Sequence, residues 1–120
     1  TYAQYYEYVK SYDKAFEYWN INLEKYYKEN TSFFYYRRPI DLLYKKMNQP
    51  EKAIEFAEEW KEKAPELSPY FNLKIANIAL ESNAKRKRGL KAIQEYINDY
   101  QESLELSLEE AKEIEKKLIK

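Results

Sequence analysis

The segment Pro50-Glu51-Lys52-Ala53-Ile54-Glu55-Phe56 decides how the rest of the chain is read. Pro50 suits a first helical turn, and Asn48 or Gln49 before it is a candidate N-cap. Downstream, Ala53, Ala57, Trp60 and Ala64 recur at steps of four, three and four, which places them on one helical stripe. The same signature, Lys-Ala, a large apolar residue and then Glu or Gln, occurs in Tyr12-Asp13-Lys14-Ala15-Phe16-Glu17-Tyr18 and in Gly89-Leu90-Lys91-Ala92-Ile93-Gln94-Glu95-Tyr96. The alanines Ala15, Ala53 and Ala92 lie 38 and 39 residues apart. One Lys-Ala-Ile carries no information. Three at near-equal spacing, each opening a helical pattern, mark an internal repeat.

The flanking segments extend the pattern. Tyr12, Phe16, Trp19, Leu23 and Tyr26 form one stripe, and Leu90, Ile93, Ile97 and Tyr100 another. A further helix precedes each: Tyr2, Tyr5, Tyr6 and Val9 in the first, Ile40, Leu43, Tyr44 and Met47 in the second, and Phe71, Ile75 and Ile78 in the third. The third also carries Leu73, Ala76 and Ala79, so it is apolar on two sides, as a helix between neighbours must be. Ser11, Ser32 and Ser68 are candidate N-caps, and Ser107 with Glu110 opens a final helix with the stripe Leu108, Ala111, Ile114 and Leu118. Pro39 removes a donor and disfavours helical geometry at Arg38. The second repeat therefore begins at Pro39 or runs from Phe33 with a kink, and the need to bury Phe33 to Tyr36 favours the kink. The expectation is an all-α chain of stacked antiparallel helix pairs, about seven helices in a single domain over 1–120. The repeats span about 1–30, 32–65 and 68–101, with a capping helix at about 107–119. The start at Thr1 and the short first helix suggest an excerpt of a longer protein.

Composition agrees with helix and narrows the chemistry. The 120 residues include one glycine and four prolines, too few for the turns of a sandwich or barrel. There is no histidine and no cysteine, which removes histidine bases, triads, thiolate nucleophiles and disulfides. No Gly-rich phosphate loop, HExxH or EF-hand pattern is present. Neither catalysis nor a cofactor or metal site is expected. The 21 basic and 21 acidic residues balance, so a field that recruits nucleic acid is not expected. No apolar run reaches the roughly 18 residues of a membrane span, no signal peptide is visible, and the compartment, cytoplasmic or periplasmic, is left open. The 14 tyrosines suit helix seams that touch water, and the clusters Tyr5-Tyr6-x-Tyr8, Tyr26-Tyr27 and Phe33-Phe34-Tyr35-Tyr36 exceed what one buried stripe holds.

The chain resembles the tetratricopeptide repeat family, which pairs two helices in about 34 residues. Ile40-Asp41-x-x-Tyr44 followed by Ala53 and Pro65 carries the best match, with nine residues from aromatic to alanine. Tyr2-Ala3-x-x-Tyr6 followed by Ala15 and Trp19 keeps the same gap, and Ile75-Ala76-x-x-Ala79 followed by Ala92 and Tyr96 widens it to 13. Those four extra residues, about one helical turn, imply a longer turn or a longer helix in the third repeat. Asp41 stands where the family has Gly or Ala, Arg37 replaces its tryptophan, and Ala57 its second-helix aromatic, so the resemblance is to a divergent member.

The resemblance implies a protein-protein interaction scaffold that binds a peptide or protein segment in a groove lined by the first helices. The groove residues carried over are Gln4, Glu7 and Tyr8, then Tyr35, Arg38, Leu42, Lys45 and Lys46, then Tyr70, Leu73, Asn77, Leu80 and Glu81. Arg38, Lys45 and Lys46 would form a basic strip suited to an acidic partner. Leu42 stands where the family's carboxylate clamp has Asn, which argues against that subtype. The run Lys85-Arg86-Lys87-Arg88 is a second candidate, a loop for an anion or acidic partner, set against a plain solvated turn. A non-catalytic accessory region of a larger enzyme or surface protein is the alternative function, and self-association through the open ends a third.

Overall fold

Within each of the three repeated helix pairs the hairpin turns through a residue with a positive φ, and none of these is glycine. The computed structural model describes residues 1–29, 32–102 and 104–120. Helix α1 (Tyr2–Tyr8) meets α2 (Tyr12–Tyr26) through Lys10 at φ 62°. Helix α3 (Phe34–Asp41) continues into a π-helical turn, Leu42–Lys46, and reaches α4 (Pro50–Lys63) through Asn48 at φ 53°. A short 3-10 turn, Pro65–Leu67, leads to α5 (Ser68–Ser82). Asn83 and Lys85, at φ 64° and 49°, join α5 to α6 (Arg86–Asn98), and α7 (Leu108–Ile119) closes the order. Asparagine tolerates the left-handed region because its short side chain bonds locally, whereas lysine has no such aid. Lys10 and Asn48 are 38 residues apart, so the turn repeats with the helices. No strand occurs among the described residues.

Helix starts follow local chemistry. Thr1 caps α1 in a capping box with Gln4, and Ser107 accepts the Glu110 N–H at 3.2 Å. Gln49 precedes α4 with Pro50 in its first turn. Ser11 occupies an N-cap position without a side-chain bond. Two caps differ from the sequence reading. Ser68 is the first residue of α5 rather than its cap, and its hydroxyl donates to the Pro65 carbonyl. Phe33 precedes α3, while Ser32 accepts the Phe34 N–H from one residue further back.

Helix α3 passes through Pro39, as the kinked alternative requires. The π turn follows it: the Met47 N–H bonds to Leu42 C=O and the Gln49 N–H to Leu43 C=O. Leu42 and Leu43, just where this turn begins, are both buried because they enter different cores, Leu42 the smaller one with α1 and α2 and Leu43 the main one. The four extra residues of the third repeat lie in the helices, one at the end of α5 and three at the start of α6, since the turn Asn83 to Lys85 is no longer than the turn Met47 to Gln49.

The apolar stripes meet in one main core. Ala53, Ala57, Trp60 and Ala64 are all buried, as are Phe71, Ile75, Ala76, Ile78 and Ala79 of α5, which packs against α4, α6 and α7. Rings of Tyr27, Phe33, Tyr36, Trp60 and Phe71 join α2, α3, α4 and α5 edge to face or stacked. A smaller core gathers Ala3, Ala15, Trp19 and Leu42. Tyr26, placed on the α2 stripe by its spacing, is exposed at the helix end.

Polar groups inside this frame are paired across helices. Asn72, the one buried polar side chain among the described residues, accepts from Lys61 Nζ at 2.8 Å, and the same ammonium reaches Glu95 at 2.7 Å. Lys61 thus links α4, α5 and α6. Asp41, in its small-residue position, sends a buried Oδ1 to Lys74 Nζ of α5 at 2.5 Å, an ion pair whose angle falls outside a directed hydrogen bond.

Tyr96 ties the α6–α7 connection to the core. Its hydroxyl donates to the Leu106 carbonyl at 2.7 Å and accepts the Leu106 N–H at 3.1 Å. Burial raises its pKa above the usual 10.0, against a smaller lowering by the Leu106 bond. Burial is also the main cause of raised values at Tyr36 and Tyr44. A folded-state pKa above the unfolded one means stability that is complete below about pH 10 and is lost as pH rises through the folded value. Tyr96→Phe is expected to cost about 1–2 kcal/mol at neutral pH, because the Leu106 amide loses its partners. It should also lessen the alkaline loss, measured by urea denaturation at about pH 8 and about pH 11. The same alkaline loss in wild type and variant would exclude Tyr96 from that titration.

Candidate functional site

Helices α3 and α5 bring Phe33, the residue before α3, and Arg37 of α3 against Tyr70, Leu73, Lys74 and Asn77 of α5. Together with Glu105 from the α6–α7 connection they line a cavity of ≈ 150 Å³. Phe33 and Tyr70 stack at 5.7 Å between centroids and form its aromatic wall. Lys74 is held by Asp41, whereas Arg37 is exposed and makes no ion pair among the described residues. Asn77 is half-buried, with a side-chain amide able both to donate and to accept. The volume is below the roughly 300 Å³ at which drug-sized ligand pockets begin. It has room for a group the size of one or two side chains.

Three of the carried-over groove residues, Tyr70, Leu73 and Asn77, line this cleft. The others lie elsewhere. Tyr8 is exposed at the end of α1, and Tyr35 is exposed with its ring edge-on to Phe34. Leu42 is corrected outright: it is 2 % exposed and packs in the smaller core with Ala3, Ala15 and Trp19 of α1 and α2. Tyr44 donates its hydroxyl to Glu81 at 3.0 Å, which joins the ends of the two first helices.

The basic strip is also corrected. Arg38 is not free: its guanidinium meets Glu7 Oε2 at 2.9 Å, and the same oxygen accepts the Trp19 indole N–H at 2.9 Å. Arg38 also lies over the rings of Trp19 and Phe34. It therefore pins α3 to α1 and α2. Lys45 and Lys46 are exposed on the π turn, and Lys46 lines a separate cleft with Lys10 and Asp13 beside the α1–α2 turn. The cations that do reach the α3–α5 cleft are Arg37 and Lys74, which the family template did not select.

Arg86 to Arg88 form the first turn of α6, and only Lys85 of the run lies in the turn before it. Lys85 pairs with Glu55 at 3.5 Å and Arg88 with Glu58 at 3.3 Å, both on α4. Arg86 donates to Asn83 and to the Lys117 carbonyl of α7. Lys87 alone of the four makes no such contact among the described residues. The run therefore fastens α6 to α4 and α7, and most of its donors are engaged within the fold.

Comparison of the chain with protein-family models, with curated proteins and with solved structures finds no match. No helix among the described residues is long and apolar enough to cross a membrane.

Proposed function

We propose that the chain is a tetratricopeptide-like interaction scaffold, a right-handed stack of helix pairs that binds an extended peptide segment in the α3–α5 cleft. The cleft itself carries the reading: it lies between successive first helices and combines an aromatic wall, an amide and a free guanidinium. A partner side chain of apolar character would lie against Tyr70 and Leu73. Asn77 would bond the partner's backbone, and Arg37 would meet an acidic residue. Exposed charge of this kind sets register and encounter rate more than affinity. The repeated positive-φ hairpins and the recurring buried alanines Ala15, Ala53 and Ala92 support the stacked-pair architecture.

Acidic peptides selected for binding from a displayed library test the reading. Arg37→Glu combined with Asn77→Ala is expected to weaken them by at least ~10-fold, about 1.4 kcal/mol. Their affinity should fall with added salt, since exposed charges are screened within about 8–10 Å. Lys45→Glu with Lys46→Glu should matter much less. Peptides that ignore the cleft variant but respond to Lys45 and Lys46, or to neutralising Lys85 to Arg88, would remove this reading. Circular dichroism of each variant checks that helicity is retained.

A further inference from the structure

Tyr2 and Tyr5 of α1 are 71 % and 58 % exposed, yet their counterparts 38 residues on, Ile40 and Leu43, are 0 % and 4 % exposed. The corresponding Ile75 and Ile78 of α5 are both 1 % exposed. The same contrast runs along the second helix of the pair. Tyr18, Asn22 and Lys25 line an open cleft of ≈ 230 Å³ between α1 and α2, which Tyr2, Ile21 and Tyr26 also border. Their counterparts in α4 are Phe56, Trp60 and Lys63. Each of those three has a partner supplied by the preceding pair. Phe56 meets Phe16 at 5.3 Å, Trp60 meets Tyr27 at 5.4 Å, and Lys63 reaches Glu24 at 3.3 Å. One set of register positions is therefore covered by a preceding helix pair in the second repeat, whereas in the first Tyr18 meets only rings of its own pair, Tyr2 and Tyr6, and Asn22 and Lys25 border the open cleft.

The partners that cover the second repeat define what would cover the first. They are an aromatic residue, a glutamate eight positions later and an aromatic residue three beyond it: Phe16, Glu24 and Tyr27. Lys25 is the one charged side chain lining the α1–α2 cleft among the described residues, which matches a single glutamate. A second copy of this chain does not supply the pattern. Its own Phe16, Glu24 and Tyr27 are engaged by its own α4, and the outer side of α7 presents Glu109, Lys112, Glu113 and Lys116. We infer that the α1–α2 face is a docking site for a helix pair of a partner polypeptide whose contacting helix carries this aromatic–glutamate–aromatic pattern. Burial of the tyrosines supplies the affinity, and the lysine–glutamate pair fixes the register.

A chain with residues 1–38 duplicated ahead of Thr1 presents this pattern at high local concentration. The register is kept because Thr1 is the counterpart of Pro39, the residue that follows Arg38. In a stack stabilised by nearest-neighbour contacts, the melting temperature is expected to rise by at least about 4 °C. Amide exchange in the original α1 should slow at least ~10-fold, since local opening must now break the new contacts. Tyr2→Ser with Tyr5→Ser in the original copy should abolish both effects; in the 120-residue chain the same pair removes only the surface ring contacts of Tyr2 with Tyr18 and Tyr5 with Tyr6, and that chain's melting temperature is the baseline for the comparison. No rise and no slowing would overturn the proposal. So would a rise that survives the two serine substitutions.

Discussion

Trp60→Ala is expected to destabilise the fold by about 3–5 kcal/mol, the range for removing a fully buried large aromatic. Trp60 is 1 % exposed, and its ring lies 5.4 Å from Tyr27, 5.7 Å from Tyr36 and 6.3 Å from Phe56, centroid to centroid. Those neighbours come from the end of α2, from α3 and from α4 itself, so the indole joins the first and second helix pairs. Lys63 Nζ caps the ring face at 4.5 Å. Removing the indole forfeits transfer energy and leaves a cavity bounded by rings, which refill space poorly because they are rigid. Domains of this size are stable by only about 5–15 kcal/mol, so the loss is a large share of the total. Urea denaturation of wild type and variant measures it. A cost below about 1.5 kcal/mol, the range of a volume-conserving core swap, would mean that the aromatic cluster is not the centre of the core.

The helices are legible in the sequence because the repeat makes the same statement three times. Ala15, Ala53 and Ala92 are 0 %, 0 % and 4 % exposed, and the apolar stripes flanking them face inward. The site is less legible, for reasons that can be named. Leu42 lies one turn after Arg38 on a second face of the helix, and that face is covered by Ala3, Ala15 and Trp19 of α1 and α2, a burial that the stripe through Ile40 and Leu43 does not reveal. Arg38 has a partner 31 residues earlier in Glu7, and Arg88 one 30 residues earlier in Glu58, separations that no local pattern encodes. Only tertiary packing shows those charges to be engaged. Arg37 is the reverse case. It stands out in the sequence as a departure from a family position, and nothing local marks it as a cation at the cleft. Glu105 cannot be placed from sequence, because the segment between α6 and α7 has no periodicity to read.

Gly89→Ala is expected to destabilise by about 1–3 kcal/mol, although alanine is normally the better helix residue. Gly89 sits buried in the first turn of α6, where helix propensity favours alanine by up to about 1 kcal/mol. An added Cβ would overlap the Cβ of Ala79 on α5, well inside the roughly 3.5–4.0 Å at which carbon atoms pack. The Ala79 methyl is bonded directly to the backbone and has no rotamer by which to move away. The two helices must therefore separate, which loosens the contact that α5 and α6 share with α7 at Leu118. The chain's one glycine is thus explained by close approach, not by a turn, and the sign of its substitution separates the two influences. Moving the methyl across the interface supplies the control. Ala79→Gly alone loses a buried methyl and helix propensity, about 1–2 kcal/mol. In the double variant the methyl introduced by Gly89→Ala fills the space that Ala79→Gly leaves. The pair should then couple favourably by about 1–3 kcal/mol in a double-mutant cycle read by urea denaturation. Stabilisation by Gly89→Ala, or simple additivity of the two changes, would show that the helices are not held at contact distance there.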